Sequence, residues 1–231
     1  TADTYTISYD ANGATSGSVP ANQTKTYDVA LNLATNSGNL ERTGYVFTGW
    51  NTAANGNGTD YAEGASYTAN AGMTLYAEWT MGVIDADGNM YHAIQIGNQV
   101  WTVENLRTTK YNDGTAIPHV TGAGEWSNLS TPGYCFYDNS TDADFREKWG
   151  ALYNWYAVNT GRLAPEGWRV PTDADWTALE EYLIANGYNW DGTTADNKIA
   201  KAMAATTDWS SSTNEGTPGN DLSSNNSTGF S

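Results

Sequence analysis

A chain of 231 residues is long enough for two domains of ordinary size, each with its own core. It carries 10 Lys and Arg against 26 Asp and Glu, a formal net charge of -16; seven acidic and two basic residues fall in 1–80, so both parts are acidic. The basic footprint that phosphate contacts need is missing, which excludes non-specific nucleic-acid binding, and an anionic membrane surface would repel the chain.

No apolar run approaches the length of a membrane span. The first residues lack the charged and apolar parts of a signal peptide, so any export signal is expected to have been removed. Heavy use of Asn, Thr, Ser and Gly, with 10 Trp and 15 Tyr, suits an exported β-rich protein.

The first predicted strand places Tyr5, Ile7 and Tyr9 on one face and Thr4, Thr6 and Ser8 on the other. Asp10-Ala11-Asn12-Gly13 closes it with residues that tolerate positive φ. In Gly44-Tyr45-Val46-Phe47-Thr48-Gly49-Trp50, three large aromatics stand between glycines that let the backbone bend and so pin the register. Gly64-Ala65-Ser66-Tyr67 is a further turn, and Leu75, Ala77 and Trp79 alternate to close the module. Tyr-Asp-Ala-Asn-Gly, Arg-Thr-Gly-Tyr-Val-Phe-Thr-Gly-Trp-Asn-Thr-Ala and Leu-Tyr-Ala-Glu-Trp-Thr, in this order over residues 1–80, resemble the Listeria-Bacteroides repeat, the internalin-type B repeat. The resemblance implies a small all-β, β-grasp-like module of bacterial cell-surface proteins, used as a spacer or stalk and without enzymatic activity.

From residue 81 the pattern changes. Asp85-Ala86-Asp87-Gly88-Asn89 leads into alternating residues 91–96, a Gly97-Asn98 turn and a strand from Gln99 to Val103, a predicted hairpin. A turn-rich stretch through Pro118, Gly122, Gly124, Pro132 and Gly133 must take its order from Trp126, Tyr134, Phe136 and Tyr137. A helix is predicted over 147–158, with Leu152, Trp155 and Tyr156 on one stripe. After the break at Pro165–Pro171, Thr172 and Asp175 form an acidic variant of the capping box, opening a helix that buries Trp176, Leu179, Leu183 and Ile184 and ends before Gly187. A shorter helix over about 195–206 buries Ile199 and Met203, and from Thr207 onward little is available to bury.

The runs Asp-Ala-Asp-Gly-Asn-Met-Tyr, Ile-Gly-Asn-Gln-Val-Trp-Thr-Val-Glu-Asn-Leu, Leu-Tyr-Asn-Trp-Tyr-Ala-Val and Ala-Pro-Glu-Gly-Trp-Arg-Val-Pro-Thr resemble, in order and spacing, the Fibrobacter succinogenes major paralogous domain. That resemblance implies an exported or surface-anchored α+β domain related in fold to C-type lectins, over residues 81–231. Members of that family usually continue past a Ser-Thr-Gly-Phe-Ser such as 227–231 into further strands, so this domain is expected to be incomplete at its carboxyl end, with a sheet open to self-association.

Asp85, Asp87 and Asn89 alternate like the start of a calcium loop, but Ile96 stands where the bidentate Glu belongs, and an Asp-Gly turn entering a hairpin is the favoured reading over a calcium site. The Glu-Pro-Asn and Gln-Pro-Asp sugar triplets of C-type lectins are absent, and Tyr111-Asn112-Asp113 reads as a polar turn before Gly114. His92 and His119 with the single Cys135 assemble no familiar zinc spacing, and no nucleophile motif surrounds Cys135 or any serine. Cys135 is a buried thiol or half of a bridge to a partner outside these residues. Trp126, Tyr134, Tyr137, Trp190 and Trp209 lie in loop-like stretches as candidate stacking platforms, while Trp50, Trp79, Trp155, Trp168 and Trp176 read as core. The expectation is a non-enzymatic, extracellular adhesion protein recognising a glycan or a surface protein; the alternatives are a subunit of an extracellular fibre or surface layer, and an enzyme on a lectin-like fold.

Overall fold

The computed structural model describes residues 2–231. The chain divides into two compact units, Thr1–Gly82 and Val83–Ser231. The architecture is sheet-rich with a few helices, the helices all lying after residue 120.

The first unit holds β1 (Thr4–Asp10), β2 (Gln23–Thr26), β3 (Leu31–Asn32), β4 (Tyr45–Asn51), β5 (Asp60–Tyr61), β6 (Ser66–Tyr67) and all but the last two residues of β7 (Met73–Ile84). Its main sheet runs β2-β1-β7-β4-β5, and β3 pairs with β6 separately. The first and last strands run parallel, Ile7 opposite Met73 and Tyr9 opposite Leu75, while β4 lies antiparallel to β7. Alternation puts Ile7, Tyr9, Leu75 and Ala77 inside, where they pack on Trp50, Leu33, Leu40 and Tyr67. Trp50 is wholly buried and its indole N–H donates to the Ala34 carbonyl at 2.9 Å, so the ring gives up its hydration without leaving a donor unpaired.

Period two alone would send Phe47 and Trp50 to opposite faces. The β4–β7 register shifts between Phe47 and Gly49, and the extra residue turns both rings to the core, with centroids 5.1 Å apart. Gly49 has φ +142°, and a Cβ there would stand 2.7 Å from the Tyr61 carbonyl oxygen, so only glycine fits. Lys25 is also fully buried; its ammonium donates to the Thr26 carbonyl and to Asn70 Oδ1.

The second unit opens with the hairpin β8 (Met90–Ile96) and β9 (Gln99–Thr102), joined at Gly97-Asn98 as the sequence suggests. There follow α1 (Ala123–Ser127), β10 (Tyr134–Cys135), α2 (Ala143–Trp149), β11 (Leu152–Tyr153), α3 (Trp155–Val158), α4 (Asp173–Ala185) and α5 (Ala200–Met203). Thr172 caps α4 through the expected box: its hydroxyl accepts from Asp175 N–H, and Asp175 accepts from Thr172 N–H. Two small cores result. Ile96, Leu179, Leu183 and Ile199 form one, and Tyr111, Ile117, Tyr134, Phe136, Ala157 and Leu163 the other.

Four expectations are corrected here. The single helix over 147–158 is broken: Gly150, at φ +69°, sits against Asn105 and Leu106, Ala151 N–H donates to the Leu106 carbonyl, and Leu152–Tyr153 pairs with β10 instead. Leu152, Trp155 and Tyr156 are consequently exposed, and Trp176, expected in the core, is also partly open. The helix over 195–206 shrinks to α5, because Ala204 already has extended backbone angles. The tail beyond Thr207 is ordered by polar groups. Lys201, buried, donates to the Thr217, Asn220 and Asp221 carbonyls; Asn225 donates to the Ala205 and Pro218 carbonyls, and Thr228 to the Ala202 carbonyl. Phe230 then closes on Trp101 and Trp176, at 5.8 and 6.3 Å between centroids.

Candidate functional site

The second unit carries its open aromatic rings on loops and short helices. Tyr137 is 65% exposed in a 3-10 turn, Tyr137–Asn139, made possible by Asp138 and Asn139 at positive φ. Its ring lies near Phe145, which in turn lies near Trp149, at 6.3 and 6.2 Å between centroids. Asp142 positions α2 by accepting from Phe145 N–H at its amino end. Trp155 is 67% exposed on α3, where Asn154 caps the helix by accepting from Ala157 N–H.

Trp190 and Trp209 are exposed, as the sequence suggests for stacking platforms. Gly216 lies directly against the Trp190 indole, where a Cβ would stand 2.3 Å from Nε1. Trp126 is half-buried on α1. Tyr134 departs from its expected place: it is buried on β10, with His119 stacked on it at 4.8 Å and Phe136 edge-on at 5.7 Å. The packing of β10 against β11 turns that ring inward, so it presents no free face. Trp149, Trp155 and Tyr156 join the exposed set, and the one signal for them was Gly150, which interrupts the helical stripe.

The Asp85–Asn89 loop is a structural node. Asp85 is buried; Oδ1 accepts from Asp87 N–H and Asn89 N–H, and Oδ2 accepts from the Asn89 amide and from the Tyr91 hydroxyl at 2.7 Å. Those four bonds fill the lone-pair sites of the carboxylate. Tyr91 accepts in turn from Arg107 N–H, and burial pushes its hydroxyl far above the usual phenol range. Asp87 accepts from Thr109 N–H and pairs with Lys110; burial opposes its charge, but these partners prevail and hold its carboxyl below the usual range. With Asp85 saturated and Asp87 turned to Thr109 and Lys110, these carboxylates hold the turn that enters the hairpin and do not fit a calcium ion.

The remaining candidates for chemistry are similarly committed. His92 meets Glu104 at 2.6 Å, Nδ1 to Oε1. Cys135 is a free, half-buried thiol that burial pushes up, the opposite of what a nucleophile needs. Tyr111-Asn112-Asp113 is a turn closed by Gly114 N–H donating to the Tyr111 carbonyl, with Tyr111 buried and Asn112 bonded to the Ala164 carbonyl. Among the described residues no group of three His, Cys, Asp or Glu side chains converges as metal ligands, and no helix is long and apolar enough to cross a membrane.

Comparison with known proteins finds the Fibrobacter succinogenes major domain over residues 94–231 and the Listeria-Bacteroides repeat domain over residues 5–78. Two curated proteins of Evansella cellulosilytica are similar to parts of the chain. One, named "Putative Gly-rich membrane protein", is 36% identical over 98 residues, 39% of this chain and 11% of that protein. Another, named "Putative membrane protein", is 29% identical over 116 residues, 43% of this chain and 17% of that protein. The chain therefore spans well under two thirds of the length of these relatives. No solved structure matches it. With the match extending over more than half of its residues, the chain belongs to the Fibrobacter succinogenes major domain family, and a Listeria-Bacteroides repeat precedes that domain.

Proposed function

We propose that the chain is part of a bacterial cell-surface protein in which the repeat is a β-grasp-like spacer and the second, lectin-like unit binds a glycan or a surface protein without covalent chemistry. The observation that carries this reading is the set of open rings on the second unit, Tyr137, Trp149, Trp155, Tyr156, Trp190 and Trp209. Rings held on loops and short helices present flat apolar faces with polar edges, which suit stacking on a sugar or anchoring a protein loop. The repeat, the domain family and the names of the similar proteins support a surface location.

A glycan array and a panel of extracellular matrix proteins, probed with the full chain with and without calcium, test it. Binding is expected in both conditions, because the Asp85 loop needs no ion, and Trp155→Ala or Tyr137→Ala should weaken it about tenfold, the loss of one stacking contact. No retained ligand, together with ordered polymers in electron micrographs, would replace this reading with a fibre subunit.

A further inference from the structure

The first unit contains a cleft that a spacer has no use for. Its volume is about 340 Å³, within the range of small-ligand sites, and Asn12, Arg42, Ala54, Gly56, Glu78 and Trp79 are among its walls. The walls are built before any ligand arrives. Asn51, almost wholly buried, accepts at Oδ1 from Ala53 N–H and Gly58 N–H, at 2.8 and 3.0 Å, and donates to the Gly56 carbonyl and to Asp60. Thr52 closes the same loop by accepting from Thr59 N–H at 2.8 Å. On the opposite wall Asn12 ties the loop to the sheet, its amide donating to the Ala54 and Ala77 carbonyls at 2.9 and 2.8 Å.

Two charged groups of opposite sign, Arg42 and Glu78, line this cleft; among the described residues neither has a salt-bridge partner, and the side-chain partner of Glu78 is another acid, Asp60. The Arg42 guanidinium lies over the Tyr45 ring at 4.2 Å, which fixes its plane and leaves its edge donors free. Glu78 is half-buried, and burial first, then the neighbouring Asp60 carboxyl, push it above the usual carboxylate range. A glycine stands beside each charge. A Cβ at Gly13 would come 3.6 Å from the guanidinium, and one at Gly56 would come 3.7 Å from Glu78 Oε1, and both residues have positive φ. Neither glycine places a side chain against the charge it borders. Two acidic groups without a cation ask for an ammonium, and a free, flat guanidinium asks for a carboxylate. The indole of Trp79, anchored by its N–H to the Ala11 carbonyl, and the methyl groups of Ala53 and Ala54 add apolar surface to the same lining.

We infer that this cleft is a binding site for a small zwitterion, an amino acid or short peptide, with its carboxylate on Arg42 and its ammonium on Glu78. The site lies in the repeat, so it stands or falls independently of ligand binding by the second unit.

The test is a titration of the isotope-labelled full chain, followed by amide and indole resonances, with L-alanyl-L-alanine, its N-acetylated form, its carboxamide form, and N-acetylglucosamine. The free dipeptide should shift Gly56, Asn12 and the Trp79 indole saturably. Each blocked form should bind at least tenfold more weakly, and E78Q and R42Q should each lose the response to the end they contact while Tyr137→Ala keeps it. Equal binding of the blocked forms, saturation by the sugar alone, or no saturation at millimolar dipeptide would each overturn the assignment.

Discussion

The two units reach order by different means. The first buries one face of a strongly paired sheet, with Ile7, Trp50, Leu75 and Ala77 wholly inaccessible, and it also buries two polar side chains, Lys25 and Asn51. The second divides its apolar residues between two small cores and fixes the chain between them with side chains that bond to backbone: Asp85, Asn154, Asn189, Lys201 and Asn225 each hold a loop. Every carboxylate whose titration is drawn down, namely Asp87, Asp113, Asp175, Asp191, Asp208 and Asp221, lies in the second unit, whereas the one carboxylate shifted in the first, Glu78, is raised. A sheet spreads its stability over many equivalent contacts, whereas a loop domain concentrates it in individual polar groups.

Mutations can break this contrast. Trp50→Ala removes the largest buried side chain of the sheet unit and should cost about 3–5 kcal/mol, lowering one calorimetric transition and leaving the other in place. A single transition that moves as a whole would show that the units unfold together. Lys201→Met leaves three carbonyl groups without their cation and should cost about 2–3 kcal/mol. Hydrogen exchange should then accelerate across residues 217–228, and unchanged protection would mean that the apolar contact of Phe230 holds the tail instead. Thr172→Ala removes one half of a capping box and should cost about 1 kcal/mol, confined to α4 in amide exchange.

Acid sharpens the same contrast without mutation. Arg169, then Thr172, hold Asp175 well below the usual carboxylate range; the Thr115 hydroxyl and N–H, then Arg162, take Asp113 to about 2, and Lys198, then Thr193, take Asp191 to about 2. Groups depressed in the folded state contribute stability above their unfolded value of about 3.9, and that contribution is lost as pH falls through the folded values. Glu78 acts with the opposite sign, since a raised group favours the folded state as it becomes protonated. Melting followed from about pH 5 to about pH 2 should therefore show the second unit losing stability ahead of the first. A parallel fall in both would refute the assignment of acid sensitivity to the paired aspartates.

Where a rule of period or capping governs, the residues announced the structure. Alternation marked β1 and β7, the Gly97-Asn98 turn marked the hairpin, and Thr172 with Asp175 marked the start of α4. Helical spacing failed at 147–158 because Leu152, Trp155 and Tyr156 satisfy it while Gly150 is held at positive φ against Asn105, a contact from far along the chain. The tail failed for a related reason, since Lys201, Asn225 and Thr228 look like surface residues until three-dimensional proximity supplies their carbonyl partners. The exposure of the rings was partly legible: Tyr137, Trp190 and Trp209 are open as their loop settings suggest and Tyr134 is not, while most residues of the cleft fall within the runs that mark the repeat, yet no spacing joins Arg42 to Glu78, which line one cleft only through the fold.

The two buried lysines also alter how this molecule meets reagents and neighbours. Lys25 and Lys201 are two of only five lysines, and their amines are already engaged in the interior. The folded exterior is thus more anionic than the formal charge suggests, and amine-directed tags or cross-linkers have Lys110, Lys148 and Lys198 as their lysine targets. Each of those three sits in an ion pair with an aspartate, so neutralising one by acylation releases a negative charge as well as removing a positive one.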